Sequence, residues 1–149
     1  MPLNPNLPGR VFPPIGPYLV GREKVREFAH SVSTTHAIHI DVEAARAAGH
    51  PDVVAPPTFA AVVVEPAVAQ LLASPDTGLN PERVVHGSQS ARYHRHIVAG
   101  DELITDLSIT AVTERGTHAI VSTCSEIRDG GGHPVATVTP TLFVRGDDA

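Results

Sequence analysis

Two rhythms of apolar residues run along the chain. Over 22–32, Val25, Phe28, Ala29 and Val32 fall at i, i+3, i+4 and i+7, with Glu23, Lys24, Arg26 and Glu27 on the other side. That spacing predicts an amphipathic helix. Asp41 is a good N-cap and Gly49 a good stop, which predicts a short second helix over 42–48. Over 58–73 the residues are apolar on nearly every face, so a third helix is expected there, buried all round. Pro66 inside it should kink the helix or end its first half.

Beyond that point the period shortens. Over 103–111 the odd positions are mainly apolar and the even ones more polar, which predicts a strand. Further strands are expected over 118–127 and 135–144, with one long bent strand over 84–98 and a short one at 18–20. Turn signals separate them: Ala99-Gly100-Asp101, Glu114-Arg115-Gly116 and Asp129-Gly130-Gly131-Gly132. Pro140 lacks an N–H, so the last strand is expected at an edge or with a bulge.

Helices first and then four strands on short turns give an α+β chain with an antiparallel sheet. An apolar helix has to be covered, and a curved sheet wrapped around it does so. Prolines at 2, 5, 8, 13 and 14 make 1–16 an extended arm, leaving 17–149 as a single domain.

Composition narrows the classes. With 149 residues and 42% hydrophobic content the chain can bury a sizeable core. A net charge of -5, one lysine (Lys24) and no basic run argue against nucleic acid. The N-terminus has no charged start followed by an apolar run, so no signal peptide is expected. The most apolar stretch, 59–73, is too short for a membrane span and carries Glu65, Pro66 and Gln70. A lone cysteine, Cys124, fits a reducing compartment, and a cytoplasmic protein is expected.

The stretch Ser33-Thr34-Thr35-His36-Ala37-Ile38-His39-Ile40-Asp41, followed by Val54-Ala55-Pro56-Pro57-Thr58-Phe59, resembles the MaoC-like (R)-specific hydratase/dehydratase family. Val85-His86-Gly87-Ser88-Gln89, Tyr93-His94-Arg95-His96 and Ala99-Gly100-Asp101-Glu102-Leu103 look like the family's strand region. The resemblance spans roughly 17–145 and is nearest to the N-terminal MaoC-like subgroup of (3R)-hydroxyacyl-ACP dehydratase subunits. It implies a hotdog fold, an antiparallel sheet around a long buried helix, with a dimer as the minimal unit. It also implies an acyl-CoA or acyl-ACP thioester as substrate and reversible addition of water to a trans-2-enoyl thioester. No cofactor is implied.

The family's motif runs Gly-Asp-x-Asn-Pro-x-His-x-Asp, with a Gly at the helix start. Its catalytic His falls on His39, and imidazole is suited to general acid/base work. Its catalytic Asp falls on Thr34, which cannot ionise at neutral pH but can hydrogen-bond a water. Its Asn falls on His36 and its Pro on Ala37. Its helix-start Gly falls on Pro57, which has no N–H for an oxyanion, so Thr58 is expected to supply a nearby N–H or hydroxyl instead. The expected catalytic set is therefore His39, Thr34 and His36. Ala55, Pro56, Pro57, Thr58, Gly87 and Gln89 are expected to line the thioester site. Gly87 is also readable as a strand bulge, and Glu65 as a buried acid or a solvent-facing one. Cys124 reads as a small strand residue rather than a nucleophile. Arg92, His94 and Arg95 read as a solvated strand face, with contact to phosphates of the substrate's carrier as the other reading.

His36-x-x-His39 and His94-x-His96 lack HExxH spacing and a cysteine cluster, so no metal is expected. Three functions remain. The chain is a dehydratase/hydratase of fatty-acid metabolism, or a non-catalytic subunit that pairs with an intact hydratase hotdog and helps form the acyl channel. The third, a hotdog thioesterase, is disfavoured because no carboxylate stands at the helix start.

Overall fold

The computed structural model describes residues 2–146, so the end of the expected domain, 147–149, lies outside the described residues. In chain order it contains β1 (Ile15–Leu19), α1 (Arg22–Ser31), α2 (Val42–Ala47), α3 (Ala60–Ala73), β2 (Val84–Tyr93), β3 (Glu102–Arg115), β4 (His118–Asp129) and β5 (Pro134–Val144). The five strands form one antiparallel sheet in the order β1-β3-β4-β5-β2. The sheet wraps α3, giving the α+β hotdog arrangement.

Local chemistry explains most of the elements. Asp41 Oδ1 accepts from the N–H groups of Glu43 and Ala44 at 2.9 and 3.4 Å and so caps α2. The β4–β5 hairpin closes on Asp129, whose Oδ1 accepts from Gly131 N and His133 N. Helix α3 turns Ala60, Val63, Val64, Ala67 and Leu71 onto the inner face of the sheet. Phe59, Val63 and Val64 pack there with Leu103, Ile127 and Val138; Ala67 and Leu71 pack with Leu107, Val121 and Leu142.

The arm is extended and packed. Leu7 and Phe12 are buried in the second of these clusters. Phe12 N donates to Leu107 O at 2.9 Å and Gly9 N to Ile109 O at 2.8 Å, so the arm runs along β3 past the end of β1.

Four expectations change. Helix α3 is not buried all round: Glu65, Ala69 and Ala73 are exposed, because the sheet covers one side only. Of the two outcomes expected at Pro66, an end to the first half does not occur: the helix runs unbroken over 14 residues. The long strand expected over 84–98 stops at Tyr93, where the N–H groups of His94 and Arg95 both turn to Val135 O. The last strand is not an edge: β5 lies between β4 and β2. Pro140 is accommodated by a gap in the β4–β5 ladder, and the Thr123 hydroxyl donates to its carbonyl at 2.7 Å. Among the described residues no helix is long and apolar enough to cross a membrane.

Candidate active site

The sequence around His39 is held from both sides. Helix α1 ends at Ser31, and Ser33 takes a left-handed conformation with φ 57°. Ser33 N donates to His30 O and Thr34 N to Ala29 O, the paired bonds of a Schellman ending. Ser33 stands where the family motif has its Gly, the residue for which this conformation is easiest. Thr34 is half-buried, fixed as the second residue beyond the helix.

The chain then enters one turn of 3-10 helix, Ala37–His39. The His36 side chain caps it, Nδ1 accepting from Ile38 N at 3.3 Å. An asparagine side chain would make the same bond at that place in the motif. Arg26 Nε donates to Ile40 O at 2.8 Å, and Val54 N donates to Ile38 O at 2.9 Å. The His39 turn is thus clamped between α1 and the segment leading to α3.

His39 is buried, 8% exposed, with Nδ1 2.5 Å from the Val54 carbonyl oxygen. A carbonyl only accepts, so Nδ1 carries the proton. Neutral His39 therefore keeps Nε2 as a lone-pair base. The His36 ring stands 6.2 Å away, edge-on.

Val54 is followed by Ala55, Pro56, Pro57 and Thr58, the helix start. Ala55 N is taken by Ile97 O at 2.8 Å, and both prolines lack an N–H. Phe59 N donates to Pro56 O and Ala61 N to Thr58 O. The Thr58 N–H has no acceptor among the described residues, and Thr58 and Pro57 are exposed. Ala55 and Pro56 are buried. An amide at the start of a 14-residue helix, in the positive end of its dipole, suits a developing oxyanion.

The structure thus brings His39, His36, Ala55, Pro56, Pro57 and Thr58 into one continuous hydrogen-bonded region, with Thr34 at the entry to the His39 turn. It does not bring Gly87 and Gln89 there within one chain. Both are exposed on β2, six and four residues before Tyr93, about 20 and about 13 Å away along the strand. Gly87 is the bulge residue: β2 slips register against β5 between His86 and Ser88. A Cβ on it would lie 2.2 Å from the Phe143 ring.

Two contacts had no sequence signal. The Val54 carbonyl that sets the His39 tautomer is backbone, which any residue supplies. Tyr93, at the end of β2, donates its hydroxyl to the Pro57 carbonyl. Burial raises its pKa, and the nearby Ala60 N–H offsets part of that rise.

The remaining candidates settle as follows. Glu65 faces solvent. Cys124 is half-buried, and burial first and Glu126 second push its thiol up, away from the nucleophilic thiolate. Arg95 is held by Asp101 at 2.8 and 3.1 Å. Among the described residues, no three His, Cys, Asp or Glu side chains gather as a metal site. Two hollows of about 650 and 470 Å³ lie at the other end of the sheet, around His118, Ala119 and Val144, and no expected site residue lines them.

Known proteins are similar to this chain in sequence and fold. The chain is 58% identical over 149 residues, the full length of both, to a UPF0336 protein of Clavibacter michiganensis subsp. michiganensis (strain NCPPB 382). It is similar to a chain of the C-terminally truncated HadBC (3R-hydroxyacyl-ACP dehydratase) complex from Mycobacterium tuberculosis. There the identity is 28% and the TM-score 0.82, over 93% of this chain and 97% of that one. It is also similar to a solved MaoC-like dehydratase, at 31% identity and a TM-score of 0.86, covering 96% of this chain and 43% of that one. The family model for the FAS1-like dehydratase domain region matches residues 6–138. The chain therefore belongs to the FAS1-like dehydratase-region family and has the hotdog fold of the MaoC-like dehydratases.

Proposed function

We propose that this chain binds an acyl-CoA or acyl-ACP thioester and serves reversible (3R)-hydroxyacyl-thioester dehydration. The observation that carries the reading is the pairing of a base with an oxyanion donor. His39 is held with Nε2 available, and four residues beyond its Val54 anchor stands the unsatisfied Thr58 N–H.

In the hydration direction, His39 Nε2 takes a proton from water as the water oxygen bonds to the β carbon of the enoyl thioester. The C=C electrons move onto the thioester carbonyl, whose oxygen receives the Thr58 N–H. The imidazolium then returns its proton to the α carbon. One water is consumed and His39 ends as it began. Thr34 and His36 orient the water, and Gly87 and Gln89 line the thioester site from a partner chain. Fatty-acid metabolism in the cytoplasm is the setting this reading implies.

Dimerisation with a second copy or with another hotdog subunit is part of the proposal. It is supported by β2, a ten-residue edge strand exposed along nearly all its length and bearing no Lys or Pro. A second reading follows from Thr34. No carboxylate stands at the motif's Asp position, which favours a subunit that binds acyl chain while a partner supplies the intact acid/base set.

Crotonyl-CoA hydration distinguishes these. The protein is assayed alone and co-expressed with a hotdog subunit carrying an intact Asp-x-Asn-Pro-x-His motif. Activity alone that His39→Ala abolishes supports the first reading. Activity only with the partner, indifferent to His39→Ala, supports the second. No hydration in either setting, or release of free thiol instead, overturns both.

A further inference from the structure

The peptide unit joining Pro57 to Thr58 has two ends, and the structure gives them different tasks. Its N–H, on Thr58, has no acceptor among the described residues. Its C=O, on Pro57, accepts from the Tyr93 hydroxyl. The unit is trans and planar, so the two groups point in opposite directions from one rigid plate. Fixing the carbonyl end fixes the direction of the N–H.

Little else holds that plate. Pro56 and Pro57 donate nothing, and neither Pro57 nor Thr58 lies in α3, which begins at Ala60. Tyr93 itself is well held. It is the last residue of β2, paired with Ala136 of β5, and it packs against the core cluster that includes Phe59, Ala136 and Val138. A hydrogen bond donated to an amide oxygen also draws charge from the nitrogen, which strengthens the amide as a donor.

We propose that Tyr93 is the positioning residue for the oxyanion donor: by bonding the Pro57 carbonyl it aims and polarises the Thr58 N–H at the thioester oxygen. The inference rests on the thioester reading above and adds a residue that does not touch the substrate. It also accounts for the exchange of the motif's Gly for Pro57. Donation moves one residue along, from the amide that proline lacks to the next one, and Tyr93 holds that next amide in place.

The test uses [1-13C]butyryl-CoA, a saturated thioester that cannot be hydrated, bound to wild-type protein and to Tyr93→Phe. Isotope-edited infrared spectra read the thioester C=O stretch. Amide NMR reads the Thr58 N–H without ligand, and thermal melting confirms that the variant is folded. Wild type should shift the C=O stretch to lower frequency on binding. Tyr93→Phe should lose most of that shift and move the Thr58 amide resonance, with butyryl-CoA affinity changed no more than about 3-fold, since one neutral hydrogen bond is at stake. Where hydration is measurable, kcat should fall about 3- to 10-fold with KM nearly unchanged. A merely structural tyrosine would weaken binding and leave the carbonyl frequency of the remaining complex intact. Equal carbonyl shifts in the two proteins overturn the inference and leave the thioester reading standing. A wild type that binds without any carbonyl shift, or does not bind, overturns the reading and the inference with it.

Discussion

The Nδ1 atom of His39 lies 2.5 Å from the carbonyl oxygen of Val54, and this bond decides which nitrogen can act as a base. It also links the motif turn to the segment that starts α3. Replacing His39 by Ala should reduce crotonyl-CoA hydration by about 10²–10⁴-fold, the usual cost of losing a positioned acid/base group. It should also cost about 1–3 kcal/mol of stability, because a buried carbonyl loses its donor. Enzyme assay and urea unfolding read the two effects separately. His39→Gln, which can still donate to Val54, should recover part of the stability and none of the activity.

Thr34 sits where the family motif has its Asp, the carboxylate that would complete the acid/base pair in the proposed reaction. Thr34→Asp should raise hydration by at least about 10-fold, since the position is half-buried and fixed by the α1 ending. A rate no higher than wild type would show that the carboxylate is not what this site lacks.

Ser33 holds φ 57° without being glycine. Ser33→Gly should stabilise the protein by about 1 kcal/mol, and Ser33→Val should destabilise it by more, because a left-handed residue with a branched Cβ is strained. Chemical denaturation midpoints give the comparison. Thr34 and His39 are untouched, so thioester affinity should not change.

The Phe143 ring, itself 44% exposed, lies over Gly87. Gly87→Ala places a methyl 2.2 Å from that ring and 3.2 Å from the Thr141 carbonyl. The substitution should cost about 1 kcal/mol or less, because the exposed ring can swing aside. Phe143→Leu in the same chain should return part of that loss, read as melting temperature.

Asp52 receives a hydrogen-bonded Arg22, which holds its carboxyl below the usual carboxylate range. A depressed folded-state value stabilises the fold above the unfolded-state pKa, and the contribution is lost as pH falls through the folded value. Asp52→Asn should therefore be less stable than wild type at neutral pH and match it in strong acid. The difference should stay below about 1 kcal/mol, because the Arg22 end is solvent-screened. Stability curves of both proteins across acid pH make the comparison.

How far the sequence reached depends on the range of the forces involved. Asp41, the Asp129 hairpin and the period-two strands are local signals, and each leads to its element. The place of β5 between β4 and β2 is set by pairing across long chain separations. Pro140 therefore pointed to an edge or a bulge without deciding between them, and a gap filled by the Thr123 hydroxyl had no signature. Helix α3 is apolar nearly all round, so its composition cannot say which face the sheet leaves uncovered. In the candidate site, His39 is a reading carried by side-chain identity and spacing. The Val54 carbonyl and the Tyr93–Pro57 bond were not legible, because backbone oxygens are written the same way at every residue.

The N-terminal arm has a consequence for assembly. It lies along β3 beyond the short strand β1, which itself contains Pro17, so that margin of the sheet is already occupied or broken. Among the described residues the β2 margin offers the longest run of edge backbone, interrupted by the bulge at Gly87. Pairing of two β2 strands, as proposed above, would use up that margin in both chains.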